Sequence, residues 1–227
     1  MRLGKAIALR LAEMDYHIAL HYNTSKEAAL QTKAEIEQLD GECFLFQADL
    51  SKPAGTERLI PDVLDHFQDL SLLVNNASIF NQIGLLETPL AIMDEIYAIN
   101  LRAPIVLSQE YIKACSSGHI VNLLDSRVFD YTPNYFLYSL FKRSLRDFTL
   151  MAAKEFGPKF RVNAIAPGPI LPPAGGSWED IAYLKEKIPL KEWGDPRAIT
   201  KALDFLMENS YITGQVLYID GGQHLTY

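Results

Sequence analysis

The sequence predicts an α/β protein with a doubly wound, parallel β-sheet. Short apolar runs alternate along the chain with amphipathic segments of ten or more residues, which is the pattern of strands joined by helical crossovers. The chain has 227 residues, 48% of them hydrophobic. This is enough for one large core and suits one domain better than two. We therefore expect a single domain over 1–227.

Each element is predicted from a local change of pattern. Helices are expected where apolar residues recur at three- and four-residue spacing: Leu3–Met14, Ser25–Leu39, Pro53–Phe67, Leu90–Ala114, Asn134–Phe156, Trp178–Lys187 and Pro196–Glu208. Strands are expected at the short apolar runs His17–Tyr22, Cys43–Gln47, Leu70–Val74, His119–Leu124, Phe160–Ile165 and Gln215–Ile219. Thr24 or Ser25 is expected to cap the second helix. Turn-forming residues predict loops over Asn75–Pro89 and Pro167–Ser177.

Composition narrows the class of partner. The net charge of −7 argues against general affinity for nucleic acid or an anionic membrane. The chain has two cysteines, Cys43 and Cys115, which we expect to be buried free thiols in a reducing compartment. No cluster has metal-ligand spacing, and no apolar run resembles a signal peptide or a membrane span. The expectation is a cytoplasmic protein that binds small molecules and no metal.

Three residues in order carry the candidate chemistry. Asp125 follows the run Ile120–Leu124 and so falls at the carboxyl end of a predicted strand, the edge at which open α/β sheets bind ligands. Tyr138 and Lys142 lie four positions apart and share one face of the following helix. A lysine ammonium stabilises phenolate and is expected to lower the pKa of the tyrosine, which makes it a usable proton donor or acceptor.

This order of strand-end polar residue, Tyr and Lys resembles that of the short-chain dehydrogenase/reductase family over nearly the whole chain. Most members carry Ser where this chain has Asp125, and the Asp makes the sequence similar to the pteridine reductases and dihydromonapterin reductases. The ending Asp220–Leu225 also resembles theirs. The resemblance implies a Rossmann-like fold, a homotetramer formed through the long helices, and hydride transfer from a nicotinamide cofactor, with Tyr138 as the proton donor.

The beginning of the chain departs from the expected dinucleotide-binding unit, which opens with a strand and a glycine-rich turn. Arg2, Leu3 and Gly4 resemble the end of that turn and the start of its helix. The first strand is therefore missing from this sequence, and we expect a slot in the sheet with unpaired backbone groups. One hypothesis is that Met1 is an internal position of a longer natural chain.

The end of the first predicted strand favours NADPH over NADH. An acidic residue there would bind the ribose 2′-hydroxyl and repel a 2′-phosphate. The chain has Asn23, Thr24 and Ser25 instead, whose hydroxyl and amide groups precede a helix and form a reasonable anion site. Arg2, with Leu3 beside it, adds positive charge. A plain turn with a helix cap is the simpler interpretation, and the two roles can coexist.

The resemblance implies further site residues. Asp49 and the adjacent Leu50 match the adenine-contacting segment of the family, and Asn76, Ala77 and Ser78 match the segment that forms the floor beside the cofactor. Asn100 matches a helix residue that holds a water molecule linking the active lysine to solvent. Pro167 and Gly168 match the turn beneath the nicotinamide, and Lys142 is expected to bind the ribose.

A pterin substrate is predicted from Asp125 and from aromatic residues near it. Phe80 matches the aromatic residue that stacks on a pterin ring, although a core phenylalanine is the ordinary role at such a position. Ser78 could contact cofactor phosphate or substrate, and Trp178 lies in the predicted substrate lid at about 167–190. The expected substrates are of the dihydrobiopterin, dihydromonapterin or dihydrofolate type.

Two other interpretations remain open. A shifted loop could present Ser126 in place of Asp125, which would restore ketone chemistry and make the protein an NADPH-dependent carbonyl reductase such as a 3-oxoacyl-carrier-protein reductase. Alternatively, the missing glycines could leave an inactive, truncated scaffold. Replacing Asp125 by Ser separates a pterin reductase from a ketone reductase, because the change should impair the first and be tolerated by the second.

Overall fold

The computed structural model describes residues 2–129, 134–173 and 175–226. Met1 and position 174 of the predicted lid therefore lie outside the described residues. The strands are β1 (Ile18–Tyr22), β2 (Cys43–Gln47), β3 (Leu72–Asn75), β4 (Gly118–Leu123), β5 (Phe160–Pro167) and β6 (Val216–Ile219). The α-helices are α1 (Leu3–Glu13), α2 (Lys26–Glu37), α3 (Pro53–Leu64), α4 (Leu90–Tyr97), α5 (Ala103–Ala114), α6 (Phe136–Phe156), α7 (Ala182–Lys185) and α8 (Pro196–Glu208).

All strand pairs are parallel and helices cover both faces, which confirms the doubly wound architecture. Helices α1, α2 and α8 pack with Val121 and Leu123 of β4 in one core cluster. Helices α3, α5 and α6 pack with Ile120 of β4 in a second cluster. Because successive strand residues point to opposite faces, one strand supplies both cores.

The sheet is divided at the place where the sequence predicts a missing strand. Strands β1 and β2 form one pair, and β3, β4, β5 and β6 form a separate sheet in that order. Among the described residues, no strand lies between β1 and β3. A cavity of about 1290 Å³ separates the two sheets, and every residue of both facing strands lines it. The predicted slot is thus present, with two open strand edges.

The predicted long helix over Leu90–Ala114 is interrupted. A π-helical turn, Ala98–Arg102, separates α4 from α5. Pro104 lies in the first turn of α5 and has no backbone N–H for the carbonyl of Asn100, so the regular α-helical ladder cannot continue there. The predicted helix over Leu90–Ala114 is therefore helical throughout, but it contains a π-helical turn that the sequence analysis did not predict and that includes the site residue Asn100.

Smaller differences lie at the ends of elements. Helix α6 begins at Phe136 and not at Asn134, because Tyr135 forms an isolated β-bridge with Ile83. Ser25 occupies the cap position of α2, but its side chain makes no capping hydrogen bond. The predicted helix over Trp178–Lys187 is a 3-10 turn, Glu179–Ile181, followed by the short α7. Strand β5 continues to Pro167, beyond the predicted end at Ile165.

Candidate active site

The site lies at the carboxyl edge of the four-stranded sheet. The backbone N–H of Leu124 still donates to Ile165 of β5 (2.8 Å), so Asp125 is the first residue beyond the sheet ladder. A 3-10 turn, Ser126–Phe129, follows directly. Asp125 closes this turn, because its Oδ1 accepts a hydrogen bond from the backbone N–H of Arg127 (2.8 Å). Asp125 Oδ1 is thereby held within the turn, and Asp125 Oδ2 takes no part in closing it.

The second oxygen of Asp125 meets the predicted tyrosine. Tyr138 Oη donates a hydrogen bond to Asp125 Oδ2 over 3.0 Å. Tyr138 lies in the first turn of α6 and is buried. The structure therefore joins two of the predicted catalytic residues directly, across 13 positions of sequence.

Lys142 lies one turn further along the same face of α6. Its side chain is only 2% exposed, and its Nζ donates a hydrogen bond to the backbone carbonyl of Leu123 at the end of β4 (2.8 Å). The Nζ atom is 6.0 Å from the centre of the Tyr138 ring. The helix spacing that predicted a shared face is confirmed.

The electrostatics of this group differ from the expectation. Burial raises the pKa of Tyr138 well above its ordinary value, and the Asp125 carboxylate raises it further. The expectation that Lys142 would lower this pKa toward neutrality was wrong for this arrangement, because desolvation and a carboxylate at hydrogen-bond distance dominate. Burial lowers the pKa of Lys142 to about 8, against the opposing effect of Asp125. Tyr138 is therefore a protonated donor at neutral pH.

Ser126 does not occupy the place of Asp125. Its hydroxyl is buried and donates a hydrogen bond to Gln223 Oε1 (3.0 Å), a residue near the carboxyl terminus. The shifted loop that would present Ser126 to a substrate is not the arrangement found. The sequence alone could not decide between these neighbours, since the partner of Ser126 lies 97 positions further along the chain.

Aromatic side chains cover the tyrosine. The Phe80 ring meets Tyr138 edge to face at 4.8 Å and stacks on Tyr135 at 4.6 Å. The Arg127 guanidinium lies 4.5 Å from the centre of the Tyr135 ring and 5.2 Å from that of Phe80. Phe80 is half exposed, so it is a wall of the site and not a core residue. Sequence analysis missed Tyr135 and Arg127, although both flank the predicted catalytic residues.

Asn100 organises the loop that carries Phe80. It is fully buried in the π-helical turn. Its Oδ1 accepts hydrogen bonds from the Ser78 hydroxyl (2.8 Å) and the Ile79 N–H (3.0 Å), and its Nδ2 donates to the Ile79 carbonyl (2.9 Å). In this structure Asn100 therefore connects the helix to the floor of the site. The predicted link to Lys142 through water remains a prediction.

Most of the predicted cofactor residues line one continuous cavity, which is the slot described above extended to the strand ends. They lie at the start of α1 or in the segments that follow β1, β2 and β3: Arg2, Leu3, Asn23, Thr24, Ser25, Leu50, Asn76, Ala77 and Ser78. Asp49, Pro167, Gly168, Tyr138 and Lys142 are not among its lining residues.

Gly4 and Gly168 are both closely packed against neighbouring residues. A Cβ atom on Gly4 would lie 2.6 Å from Asn76 Nδ2, so a larger residue would displace the Asn76 side chain in the loop after β3. A Cβ on Gly168 would lie 2.7 Å from the Asp220 Cα, which brings the turn after β5 against the end of β6. Both glycines have the tight packing expected of this fold.

The outer predicted residues have other partners. Arg2 donates a hydrogen bond to the Pro172 carbonyl in the predicted lid. Asp49 Oδ1 accepts from the Ser51 N–H (2.9 Å), and hydrogen bonding with Ser51 lowers the pKa of that carboxyl. Trp178 stacks on Trp193 at 4.5 Å. A substrate contact for Trp178 remains a prediction.

The described residues contain neither a candidate metal site nor a candidate membrane span. No group of three or more His, Cys, Asp or Glu side chains among them could hold a metal ion. No helix there is long and apolar enough to cross a membrane. Cys43 is buried and Cys115 is partly buried, and both are free thiols.

A doubly wound parallel sheet with a strand-end polar residue beside a Tyr and Lys on the next helix defines a short-chain dehydrogenase/reductase. The chain belongs to this family of oxidoreductases. Residues 2–224 match a family model described as enoyl-(acyl carrier protein) reductase.

Individual relatives differ in their named activities. The 3-oxoacyl-[acyl-carrier-protein] reductase FabG of Staphylococcus epidermidis is 30% identical and aligns with 98% of this chain and 95% of its own length. The corresponding reductase of Synechocystis is 31% identical, with 97% and 92% coverage. The solved structure of FolM alternative dihydrofolate reductase 1 from Brucella canis, complexed with NADP, is 34% identical, with a TM-score of 0.91 over all of this chain and 91% of that one.

Proposed function

We propose that the protein is an NADPH-dependent reductase that transfers a hydride to a pteridine of the dihydrobiopterin, dihydromonapterin or dihydrofolate type. The observation that carries the proposal is the 3.0 Å hydrogen bond from Tyr138 to Asp125. A carboxylate takes the place at which a ketone reductase needs a hydroxyl. The similarity to the Brucella canis FolM structure supports the same substrate class.

The chemistry of Asp125 favours a nitrogen heterocycle over a ketone. An ionised carboxylate only accepts hydrogen bonds, and it would repel the negative charge that develops on a ketone oxygen during reduction. A pterin presents N–H donors to such a carboxylate and takes up a proton at a ring nitrogen. Tyr138 is the proton source in this proposal, because its raised pKa keeps it protonated. Phe80 is half exposed beside Tyr138, and a pterin ring would stack in this aromatic group, which also includes Tyr135.

The residues present fit a nicotinamide dinucleotide with a 2′-phosphate. The segment after β1 has amide and hydroxyl side chains and no carboxylate, and it lines the same cavity as Arg2 and the start of α1. When bound, the cofactor supplies the hydride. Asn23, Thr24, Ser25 and Arg2 would hold its phosphate end, and Lys142 would bind its ribose. Asp125 orients Tyr138, which holds the proton to be donated.

A carbonyl reductase is the second candidate. The Staphylococcus epidermidis and Synechocystis relatives named as 3-oxoacyl-[acyl-carrier-protein] reductases favour it. It would need a hydroxyl group at the strand end, and the residue next to Asp125 that carries one is Ser126.

The test measures NADPH oxidation with dihydrobiopterin and, in parallel, with a 3-oxoacyl thioester. We expect turnover of the pterin, and we expect Asp125→Ser to lower pterin kcat/KM by about 100-fold, the usual scale for a proton-transfer group. Activity on the thioester should stay constant or rise in Asp125→Ser. Tyr138→Phe serves as the control, because it should abolish turnover of either substrate.

Preference of the unaltered protein for the thioester would overturn the pterin proposal in favour of the carbonyl reductase. Absence of turnover with both substrates, together with no NADPH binding by calorimetry, would support the inactive scaffold.

A further inference from the structure

The turn that carries Asp125 is tied to the carboxyl-terminal segment by a buried polar pair. Ser126 is 2% exposed and Gln223 is 1% exposed. The Ser126 hydroxyl donates to Gln223 Oε1 over 3.0 Å. The pair lies beside the proposed reaction centre, and the proposed mechanism uses neither member.

Gln223 is held in place by the segment around it. The Asp220 carboxylate accepts hydrogen bonds from the backbone N–H groups of Gly222 (3.0 Å) and His224 (2.7 Å). The backbone N–H of Gln223 donates to the Asp220 carbonyl (3.1 Å). The His224 ring also stacks on Tyr218 of β6 at 4.4 Å. The Gln223 side chain therefore projects from an ordered turn.

An amide side chain at position 223 is not required for packing. The Nε2 atom of Gln223 is buried and has no hydrogen-bond partner among the described residues. A methionine has similar volume and would carry no unpaired donor. The contact that an amide makes and a methionine would lose is the one with Ser126.

The side chains of the neighbouring residues Asp125 and Ser126 have different hydrogen-bond partners. The two carboxylate oxygens of Asp125 accept hydrogen bonds from the Arg127 N–H and from Tyr138 Oη. The Ser126 hydroxyl donates to Gln223 Oε1 instead. A free Ser126 hydroxyl in this turn would be a donor close to the strand end. Such a donor is what a ketone oxygen needs and what Asp125 cannot supply.

We propose that Gln223 is a specificity-determining positioning residue, which holds the Ser126 hydroxyl away from the substrate so that Asp125 is the strand-end partner of Tyr138. The inference rests on the proposed function and extends it. Reduction of a pterin is favoured, and reduction of a ketone is disfavoured, by a contact from the last turn of the chain.

The experiment compares Gln223→Met, Ser126→Ala and the double variant. For each protein, kcat/KM is measured with dihydrobiopterin and with a 3-oxoacyl thioester, and thermal unfolding confirms the fold. Gln223→Met should raise the thioester-to-pterin ratio by about 10-fold, a modest part of what one oxyanion donor contributes. The double variant should return the ratio to its original value, because the released hydroxyl is gone.

A crystal structure of Gln223→Met provides a readout independent of activity, and we expect Ser126 Oγ to have turned toward Tyr138. An unchanged ratio in a folded Gln223→Met protein would overturn the inference, as would an equal rise in the double variant.

Ser126→Ala tests the inference even if Gln223→Met does not fold. We expect this variant to keep both activities, because the hydroxyl is directed at Gln223. A large loss of either activity would place Ser126 in the reaction and overturn the inference. Failure of the proposed function has a different signature, which is preference of the unaltered protein for the thioester.

Discussion

At the residue scale, Lys142 combines a chemical role with a cost in stability. The Nζ of Lys142 is buried against the end of β4, and burial of a charged ammonium costs free energy. This cost lowers the pKa of Lys142 to about 8. Its ordinary value in an unfolded chain is about 10.4. The free energy of unfolding therefore rises as pH rises from about 8 to about 10.4, because the folded protein gives up this proton before the unfolded chain does. Below about pH 8 both states carry the proton, and the full cost of burying the charge is present.

We predict that Lys142→Met stabilises the protein and removes its activity. The difference between the two pKa values corresponds to about 3 kcal/mol at neutral pH, and the loss of the hydrogen bond to Leu123 offsets about 1 kcal/mol of this. The net gain of about 2 kcal/mol should raise Tm by about 4–8 °C. Calorimetry at neutral pH and near pH 10 checks this, and the difference from the unaltered protein should shrink at the higher pH.

Lys154→Met is the matched control for this prediction. Lys154 lies on the same helix but is exposed, so its replacement should leave the pH dependence of Tm unchanged. Equal effects from both variants would show that burial of Lys142 has no particular electrostatic cost.

At the element scale, the open edges of β1 and β3 are the main structural weakness. Each edge carries unpaired backbone groups along a parallel strand, and both line the same cavity. A single extended segment between them could pair with both edges and bury its apolar side chains on both faces. The start of α1 lines the same cavity, so a segment attached ahead of Arg2 can enter it through a short turn.

We predict that a five-residue Val/Ile segment, joined ahead of Arg2 by a glycine-rich turn, stabilises the fold. Several backbone hydrogen bonds of about 1 kcal/mol each, together with apolar burial, exceed the cost of ordering the segment by about 3 kcal/mol. Tm should rise by about 6–12 °C. An extension of the same length made of Gly, Ser and Asp is the control, and a rise of equal size with it would refute the pairing.

At the scale of the whole molecule, α6 presents an apolar stripe to the surface. Phe136, Leu140, Leu150 and Met151 lie on one side of the helix and are between 43% and 69% exposed. Leu90 and Tyr97 of α4 are also exposed, and α4 contacts α6. Exposed large apolar side chains grouped on two neighbouring helices are typical of an interface between subunits.

We predict a homotetramer that associates through this surface. Four chains of 25.5 kDa give 102 kDa, which light scattering can measure. Met151→Glu should lower the measured mass to that of a dimer or monomer, because a carboxylate is costly to bury in an apolar interface. Leu39→Glu is the control, since Leu39 is also exposed but follows α2. A monomeric unaltered protein would contradict the prediction.

Most of the fold could be predicted from the sequence because its signals are local. The period of the apolar residues placed all six strands and most of the helices, and the missing opening strand predicted the slot between β1 and β3. The interruption at Ala98–Arg102 was missed. Pro104 and Asn100 both signal it, but apolar periodicity continues through the turn.

The candidate catalytic residues could also be chosen from the sequence alone. Asp125 followed a strand, Tyr138 and Lys142 shared a helix face, and the structure brings all three together. Their order along the chain was sufficient because strand ends and helix faces are local geometry.

The pKa values and hydrogen-bond partners of these residues could not be predicted from the sequence, because they depend on the folded structure. The raised pKa of Tyr138 depends on burial by the whole fold and on Asp125. The Ser126 hydroxyl is held by Gln223, 97 residues away, while Asp125 meets Tyr138. Desolvation and long-range hydrogen bonds depend on distances in space, and the order of residues along the chain does not specify those distances.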